Sequence, residues 1–272
     1  MEILHQSRIQ RFSRDLTTLK EEMFILFYES YDESEHSVCV YDRNNLAEVK
    51  DVIALPGKYP LTLDACNVSN CVYVLCYHED LNENSGSIFR IKKDEEHGFN
   101  ILPWMSDLRK TPFISVLPNG ILSVTHGCNP VALRNYDAKG SLVLSADIHG
   151  FRLVKRVMQK SNRNLIIAAM NDRLDTVLTE IDLDGKLKGQ HISSHLRMSM
   201  HFADAYGRIL VTDPTDGIQL LDSELNRLDL DSQQLGQRIL KSTYNTERNV
   251  VVCSCVDYSN ASFITTFRLT EV

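Results

Sequence analysis

Five cationic side chains recur at corresponding places along the chain. Lys58, Lys110, Arg152, Arg197 and Arg238 each stand just before a short strand-like segment. Like charges at one position of a repeat become a ring when the repeats close on themselves, and such a ring attracts a phosphate or a carboxylate. The alternative is that each cation pairs with an acidic residue of its own or the next repeat, which would make the set structural. A second set ends the apolar segments: Cys76, His126, Ala169, Asp213 and Ser254 occupy similar positions. His and Asp facing one channel are metal-ligand types, but a metal needs three or four convergent ligands. Cys76, His126 and Asp213, with His78 nearby, fall on three different repeats. No metal site is expected from so sparse a set.

Other reactive residues are weaker signals. His191 and His195 would share a face on a helix, but they and His201 lie in a stretch that reads as a loop, where solvation is the simpler account. Trp104, the single tryptophan, follows a proline and is a candidate anchor for a partner, although a lone aromatic on an outer strand also serves packing. The run Arg152-Leu-Val-Lys155-Arg156, with Lys160 and Arg163, is basic but has only Phe151 as an aromatic neighbour, a thin basis for RNA binding. There is no G-x-S-x-G elbow and no glycine-rich phosphate loop; the Asp184-Gly185 turn joins two strands and does not open a helix. An enzyme is therefore not the expected reading, and no cofactor is implied.

These residues must be positioned by a repeat. Its most visible part is a short apolar strand, seen at Phe24–Phe27, Val72–Leu75, Ile121–Val124, Leu165–Ala168, Ile209–Thr212 and Val250–Cys253. Such β-branched, aromatic runs bounded by polar turns read as strands. A further strand follows each: Val38–Asp42, Ser87–Ile91, Ala132–Asp137, Val177–Asp182, Ile218–Asp222 and Phe263–Phe267. Turn residues Asn44-Asn45, Lys139-Gly140, Asp184-Gly185 and Glu224–Asn226 follow four of these. Another strand precedes each unit, at Leu61–Cys66, Phe113–Leu117, Leu153–Gln159, Met200–Ala205 and Leu240–Tyr244, with Leu16–Leu19 the less clear first version. Units begin about 45 residues apart, and six account for the chain, the mark of an all-β, six-bladed β-propeller with four-stranded antiparallel blades in one domain over residues 1–272. The last unit lacks its outer strand. Residues Glu2–Phe12, with a strand candidate at Ile9–Phe12, are expected to supply it by pairing near Phe263–Phe267, which closes the ring and covers an edge.

Composition fits a globular chain: 272 residues, 43% hydrophobic, with a net charge of −7 that argues against a generic nucleic-acid binder. No apolar run reaches the length of a membrane span, and Met1–Lys20 has no signal-peptide core, so a cytoplasmic location without membrane contact is expected. The seven cysteines, Cys39, Cys66, Cys71, Cys76, Cys128, Cys253 and Cys255, sit mostly in apolar strands and are expected to be reduced and buried. Cys66 and Cys71 flank a tight connection and are the one pair placed to form a disulfide.

The pattern resembles NHL-type propellers, and more closely a group of divergent NHL-like proteins of invertebrate animals. The stretches that carry it are Val40-Tyr-Asp42 leading to Leu55-Pro-Gly57, Ala65-Cys66 with Asn70–Val74, Trp104 followed by Thr111-Pro112, Val116–Gly120, and Ile209–Asp213 with Leu220–Leu225. Asp213 looks like the residue usual at its place in that family. The resemblance implies a binding scaffold, since NHL propellers of tripartite-motif proteins bind RNA or protein. The chain lacks the cysteine–histidine pattern of a RING or B-box, so ubiquitin ligation is not carried by these residues. The expected function is a non-enzymatic interaction scaffold that binds a protein or peptide on the loop face around the channel. Lys58, Lys110, Arg152, Arg197, Arg238, His126, Asp213 and Trp104 are its candidate contacts. RNA binding through the same ring is one alternative. A metal-dependent propeller enzyme of the lactonase or amidating-lyase kind is another.

Overall fold

The structure, a computed structural model, describes residues 2–9, 11, 13–27, 36–56, 59–77, 86–94, 98–108, 112–127, 130–160, 163–171, 173, 175–182, 184–193, 199–203, 207–213, 217–228, 237–245, 250–257 and 259–268. Among these residues there are strands and no helix. The chain opens with β1 (Glu2–Ile9). Blade 1 is β2 (Ser13–Leu19), β3 (Glu22–Phe27), β4 (His36–Asp42) and β5 (Asn45–Leu55), and blade 2 is β6 (Tyr59–Cys66), β7 (Cys71–Tyr77), β8 (Gly86–Asp94) and β9 (Gly98–Leu108). Blade 3 is β10 (Phe113–Val116), β11 (Leu122–His126), β12 (Val131–Tyr136) and β13 (Leu142–Ile148). Blade 4 is β14 (Phe151–Gln159), β15 (Leu165–Asn171), β16 (Thr176–Ile181) and β17 (Leu187–Ser193). Blade 5 is β18 (Ser199–Ala203), β19 (Ile209–Asp213), β20 (Gly217–Leu221) and β21 (Arg227–Leu228). Blade 6 is β22 (Gln237–Asn245), β23 (Val250–Asp257) and β24 (Ser262–Arg268), completed on its outer side by β1.

Each sheet is antiparallel and runs in chain order from its inner to its outer strand, except where β1 closes the last. β1 pairs with β24 from Glu2 opposite Arg268 to Ile9 opposite Ser262. The closing strand thus lies earlier than the Ile9–Phe12 segment read from sequence. Only its last residue, Ile9, is buried, because an outer strand covers one face of one blade and the chain must then turn inward to begin β2 at Ser13. The inner strands close a circle: β2 touches β6 and β22, β10 touches β6 and β14, and β18 touches β14 and β22.

The second strand of each blade is buried on both faces, which is why its sequence is a continuous apolar run and does not alternate. Alternate residues feed opposite seams. Phe24 and Leu26 of β3 pack with Val72 and Val74 of blade 2, whereas Met23, Ile25 and Phe27 pack with Val252 and Ile264 of blade 6. Each of the six seams between successive blades holds one such apolar cluster. The side-chain period of two in a strand makes each blade the partner of both neighbours, so no blade can bury itself alone.

One hairpin turn recurs. At Leu117–Ile121, Asp137–Ser141, Lys160–Asn164, Asp182–Lys186, Asp222–Asn226 and Asp257–Ala261, the first residue's N–H donates to the carbonyl of the fifth, and the fourth residue's N–H donates back to the first. The fourth residue is left-handed in each, as glycine at Gly120, Gly140 and Gly185 and as Arg163, Leu225 and Asn260 elsewhere. In four of these turns the leading aspartate accepts the N–H groups two and four residues on, as Asp137 Oδ1 does from Lys139 and Ser141 at 2.9 and 2.8 Å. The Ser141 N–H chiefly holds Asp137 below the usual carboxylate range, while Asp182 is held down first by the Lys188 ammonium and Asp257 first by the Ser259 hydroxyl, with the backbone bonds adding in each.

Of the described cysteines, Cys66, Cys71, Cys76, Cys253 and Cys255 are buried and Cys39 is half-buried, all as free thiols. Cys66 and Cys71 stand directly opposite each other across the first hairpin of blade 2, with no disulfide between them. Cys128 lies outside the described residues.

Candidate functional site

The channel is lined by inner strands whose pairing is irregular. A residue is skipped in the register at Arg14 of β2, Leu61 of β6, Arg152 and Lys155 of β14, His201 of β18 and Leu240 of β22. Such a bulge twists its strand and redirects the side chain at the unpaired residue. Arg14 and Lys155 are half-buried at these positions. The guanidinium of Arg14 lies over the Tyr59 ring, 4.3 Å from its centroid, and His36 meets the same ring edge-on at 5.2 Å. Burial pushes the nearby Tyr77 hydroxyl up to about 12, with Arg14 opposing.

Arg152 and Arg238 each form the second residue of an inner strand, on blades 4 and 6. The sequence reading put them just before the strand. Both are exposed at the mouth where inner strands begin, and neither joins an ion pair among the described residues. Lys58, Lys110 and Arg197 lie outside the described residues. His126 ends β11 at the same mouth, half-buried beside the Arg134–Asp147 ion pair of 3.0 Å. Burial, and then the charge of Arg134, hold its imidazole below its ordinary value. Asp213 ends β19 opposite Gly217, with blade 4 standing between its blade and that of His126. Its side chain and that of His201 lie outside the described ones, as does His78. No group of three or more His, Cys, Asp or Glu side chains among the described residues is placed to hold a metal ion.

Trp104 is elsewhere. It sits half-buried on β9, edge-on to Tyr73 of its own blade at 5.4 Å and to Tyr136 of blade 3 at 5.9 Å, so its ring fills the seam between those blades. The basic run also disperses. Lys160 donates to Glu180 at 2.7 Å and to the Ser223 carbonyl at 2.5 Å, tying blade 4 to blade 5, while Arg163 holds a left-handed turn position. His191 is not in a loop: it lies in β17 opposite Leu178, because the outer strand of blade 4 runs through it.

Inside the channel the structure places residues that sequence reasoning did not single out. The inner edge of each inner strand carries N–H groups with no further strand to receive them. Asp15 Oδ2 accepts the Leu63 N–H at 2.9 Å and the Thr62 hydroxyl at 2.5 Å; Asp64 Oδ2 accepts the Val116 N–H at 2.7 Å; Ser115 Oγ accepts the Val157 N–H at 3.1 Å. Blades 1 to 4 are stitched in series by these bonds. A signal existed for Asp64 alone: aspartate is depleted in strands, and this one stands in the apolar stretch Leu63-Asp64-Ala65, whereas Asp15 follows Arg14 in a polar stretch. Beyond them, where the inner strands end, lies a cavity of about 240 Å³ lined by Thr17, Thr18, Asp64, Val68, Arg156 and Thr243, among others. On β14 its lining runs from Arg156 to Gln159, four to seven residues or about 13–23 Å along the strand from Arg152 at the loop-face mouth.

No protein-family model matches the chain, and no curated protein matches it. The likeness to NHL propellers therefore rests on the quoted stretches alone. Solved structures do match. The PQQ-bound form of aldose sugar dehydrogenase from Streptomyces coelicolor aligns over 97% of both chains at 10% identity with a TM-score of 0.67. A chain of the mitotic checkpoint complex aligns over 99% of this chain and 95% of its own at 10% identity and 0.59. Raptor from Chaetomium thermophilum aligns over 100% of this chain and 29% of its own, at 12% identity and 0.59. At such identities the likeness shows the fold alone, a β-propeller of six four-stranded blades.

Proposed function

We propose that this propeller is a non-enzymatic interaction module that binds an acidic protein segment or peptide on the loop face where its inner strands begin. One observation carries the reading: Arg152 and Arg238 are each the second residue of an inner strand, exposed, and are in no ion pair among the described residues. Cations held at a channel mouth outside any ion pair favour a partner that brings its own carboxylates. Lys58, Lys110 and Arg197 join the set by their place in the repeat, and His126 and Asp213 flank it. The NHL resemblance implies a scaffold of the same kind, and the mitotic checkpoint complex is itself an assembly in which a propeller of this shape takes part. Free, buried thiols fit a cytoplasmic setting. Among the described residues no helix is long and apolar enough to cross a membrane.

The test is the Arg152→Ala/Arg238→Ala double variant against a panel of acidic peptides and a single-stranded RNA. Peptide binding should weaken at least tenfold, with a flatter dependence on salt. Unchanged peptide binding by the double variant would overturn the reading. Binding confined to RNA, with a steep salt slope that the variant reduces, would replace it with the RNA alternative.

A further inference from the structure

We propose that the cavity where the inner strands end binds a small oxyanion, a carboxylate or a phosphate, anchored by Arg156. This site lies at the far end of the channel from the loop face and does not depend on the reading given above. Arg156 projects from β14 into the cavity lining. Its Nε is buried with no hydrogen-bond acceptor, and its Nη2 stands 3.7 Å from Asp64 Oδ2, a charge contact beyond hydrogen-bond reach. Asp64 cannot close that gap freely, because Oδ2 holds the Val116 N–H at 2.7 Å and Oδ1 the Ala65 N–H at 3.1 Å. A guanidinium carries five N–H donors in a rigid fork, and buried donors left without acceptors are costly. An oxyanion seated against the fork supplies those acceptors two at a time.

The surroundings add to this. Thr17, Thr18 and Thr243 line the same cavity from blades 1 and 6, offering hydroxyl donors. Lys155, beside Arg156 on β14, and Lys241 on β22 are half-buried and join no ion pair among the described residues. Burial and the charge of Lys241 lower the pKa of the Lys155 ammonium. The acids are committed: Asp15 serves the backbone of blade 2, and burial raises the Asp64 carboxyl, with Arg156 opposing. This stretch of channel therefore has an excess of positive charge within low-dielectric walls, which concentrates anions. A volume of about 240 Å³ exceeds the need of a single water and falls below that of drug-sized pockets, which sets the ligand's size.

The experiment titrates the whole chain with inorganic phosphate and, separately, with succinate, at ionic strength held constant with sodium chloride, by calorimetry and thermal unfolding. Saturable binding of one or both is expected, and whichever binds more tightly identifies a phosphate or a carboxylate ligand. Arg156→Gln should weaken it at least tenfold. Val68→Glu places a negative charge at an exposed position of the cavity wall and should weaken binding about threefold in a protein that folds normally. This variant decides the matter if Arg156→Gln does not fold. The Arg152→Ala/Arg238→Ala variant should bind both anions as the parent does. Neither anion exceeding the chloride control, full binding by Val68→Glu and Arg156→Gln, or loss of binding in the loop-face variant would each overturn the proposal.

Discussion

Gly120 offers a quantitative check on how blades 2 and 3 meet. It is the fourth residue of the Leu117–Ile121 turn, with φ of +80°, and its N–H donates to the Leu117 carbonyl at 2.9 Å. A Cβ added there would lie 2.7 Å from Val68 Cβ and 3.0 and 3.1 Å from its two γ-carbons, on the turn that follows β6. Gly120→Ala therefore combines two costs. Holding alanine in the left-handed region costs about 1 kcal/mol. The clash costs about 1–2 kcal/mol, the lower part of the overpacking range, because Val68 is 65% exposed and can give way. The sum is about 2–3 kcal/mol, or a melting point lower by about 4–6 °C for a chain of this length. Urea unfolding followed by the fluorescence of Trp104, which packs in the same seam, reads the change directly. Val68→Ala alone should move stability by less than about 0.5 kcal/mol. Combined with Gly120→Ala it removes the two γ-carbons but keeps the Cβ at 2.7 Å, so it should recover only part of the clash, a coupling of about 0.5–1 kcal/mol. Strict additivity of the two substitutions would refute the contact, and a loss below about 0.5 kcal/mol for Gly120→Ala would refute the backbone argument as well.

Glu22 is buried between Lys50 and Lys93 at 3.0 and 2.5 Å, and their bonds outweigh its burial, so its folded pKa lies below 4.5. Glu22→Gln should cost about 1–2 kcal/mol at neutral pH, a difference that vanishes as pH falls through the folded pKa and the parent's carboxylate is protonated, measured by urea unfolding across that range. The lowered carboxyls of Asp137, Asp182 and Asp257 act in the same sense, so the parent should lose stability as pH falls below 3.8, and replacing all three with Asn should flatten that acid limb in a melting-point profile. Lys155 has the opposite sign: its folded pKa lies below 10.5, so its charge opposes folding at neutral pH and stability recovers as pH rises between the two values. Lys155→Met should stabilise by up to about 1 kcal/mol in buffer free of phosphate and carboxylates, with the advantage shrinking toward pH 10. Trp104→Ala removes two edge-on aromatic contacts from a half-buried site and should cost about 2–3 kcal/mol in calorimetric unfolding, while peptide binding at the loop face stays unchanged.

The sequence by itself determined the number of blades, the strand order and the turns at Asn44-Asn45, Lys139-Gly140, Asp184-Gly185 and Glu224–Asn226. Those depend on local chemistry: a strand buried on both faces must be apolar throughout, as Phe24–Phe27 and Val250–Cys253 are, and a left-handed turn position favours glycine, as at Gly120, Gly140 and Gly185. It also showed that the last blade needed a strand from the amino-terminal segment, though not that β1 would end at Ile9. What the channel contains was decided by tertiary structure. A bulge shifts one residue out of register without changing composition, so the half-buried places of Arg14 and Lys155 are invisible to periodicity. Arg156 and Asp64 are 92 positions apart, and Trp104 and Tyr136 belong to different blades; each pair meets only because the ring closes. Pairing within a blade is local and follows the chain, whereas contact across the channel or a seam depends on the angle at which six separate sheets pack, and no short stretch of sequence encodes that angle.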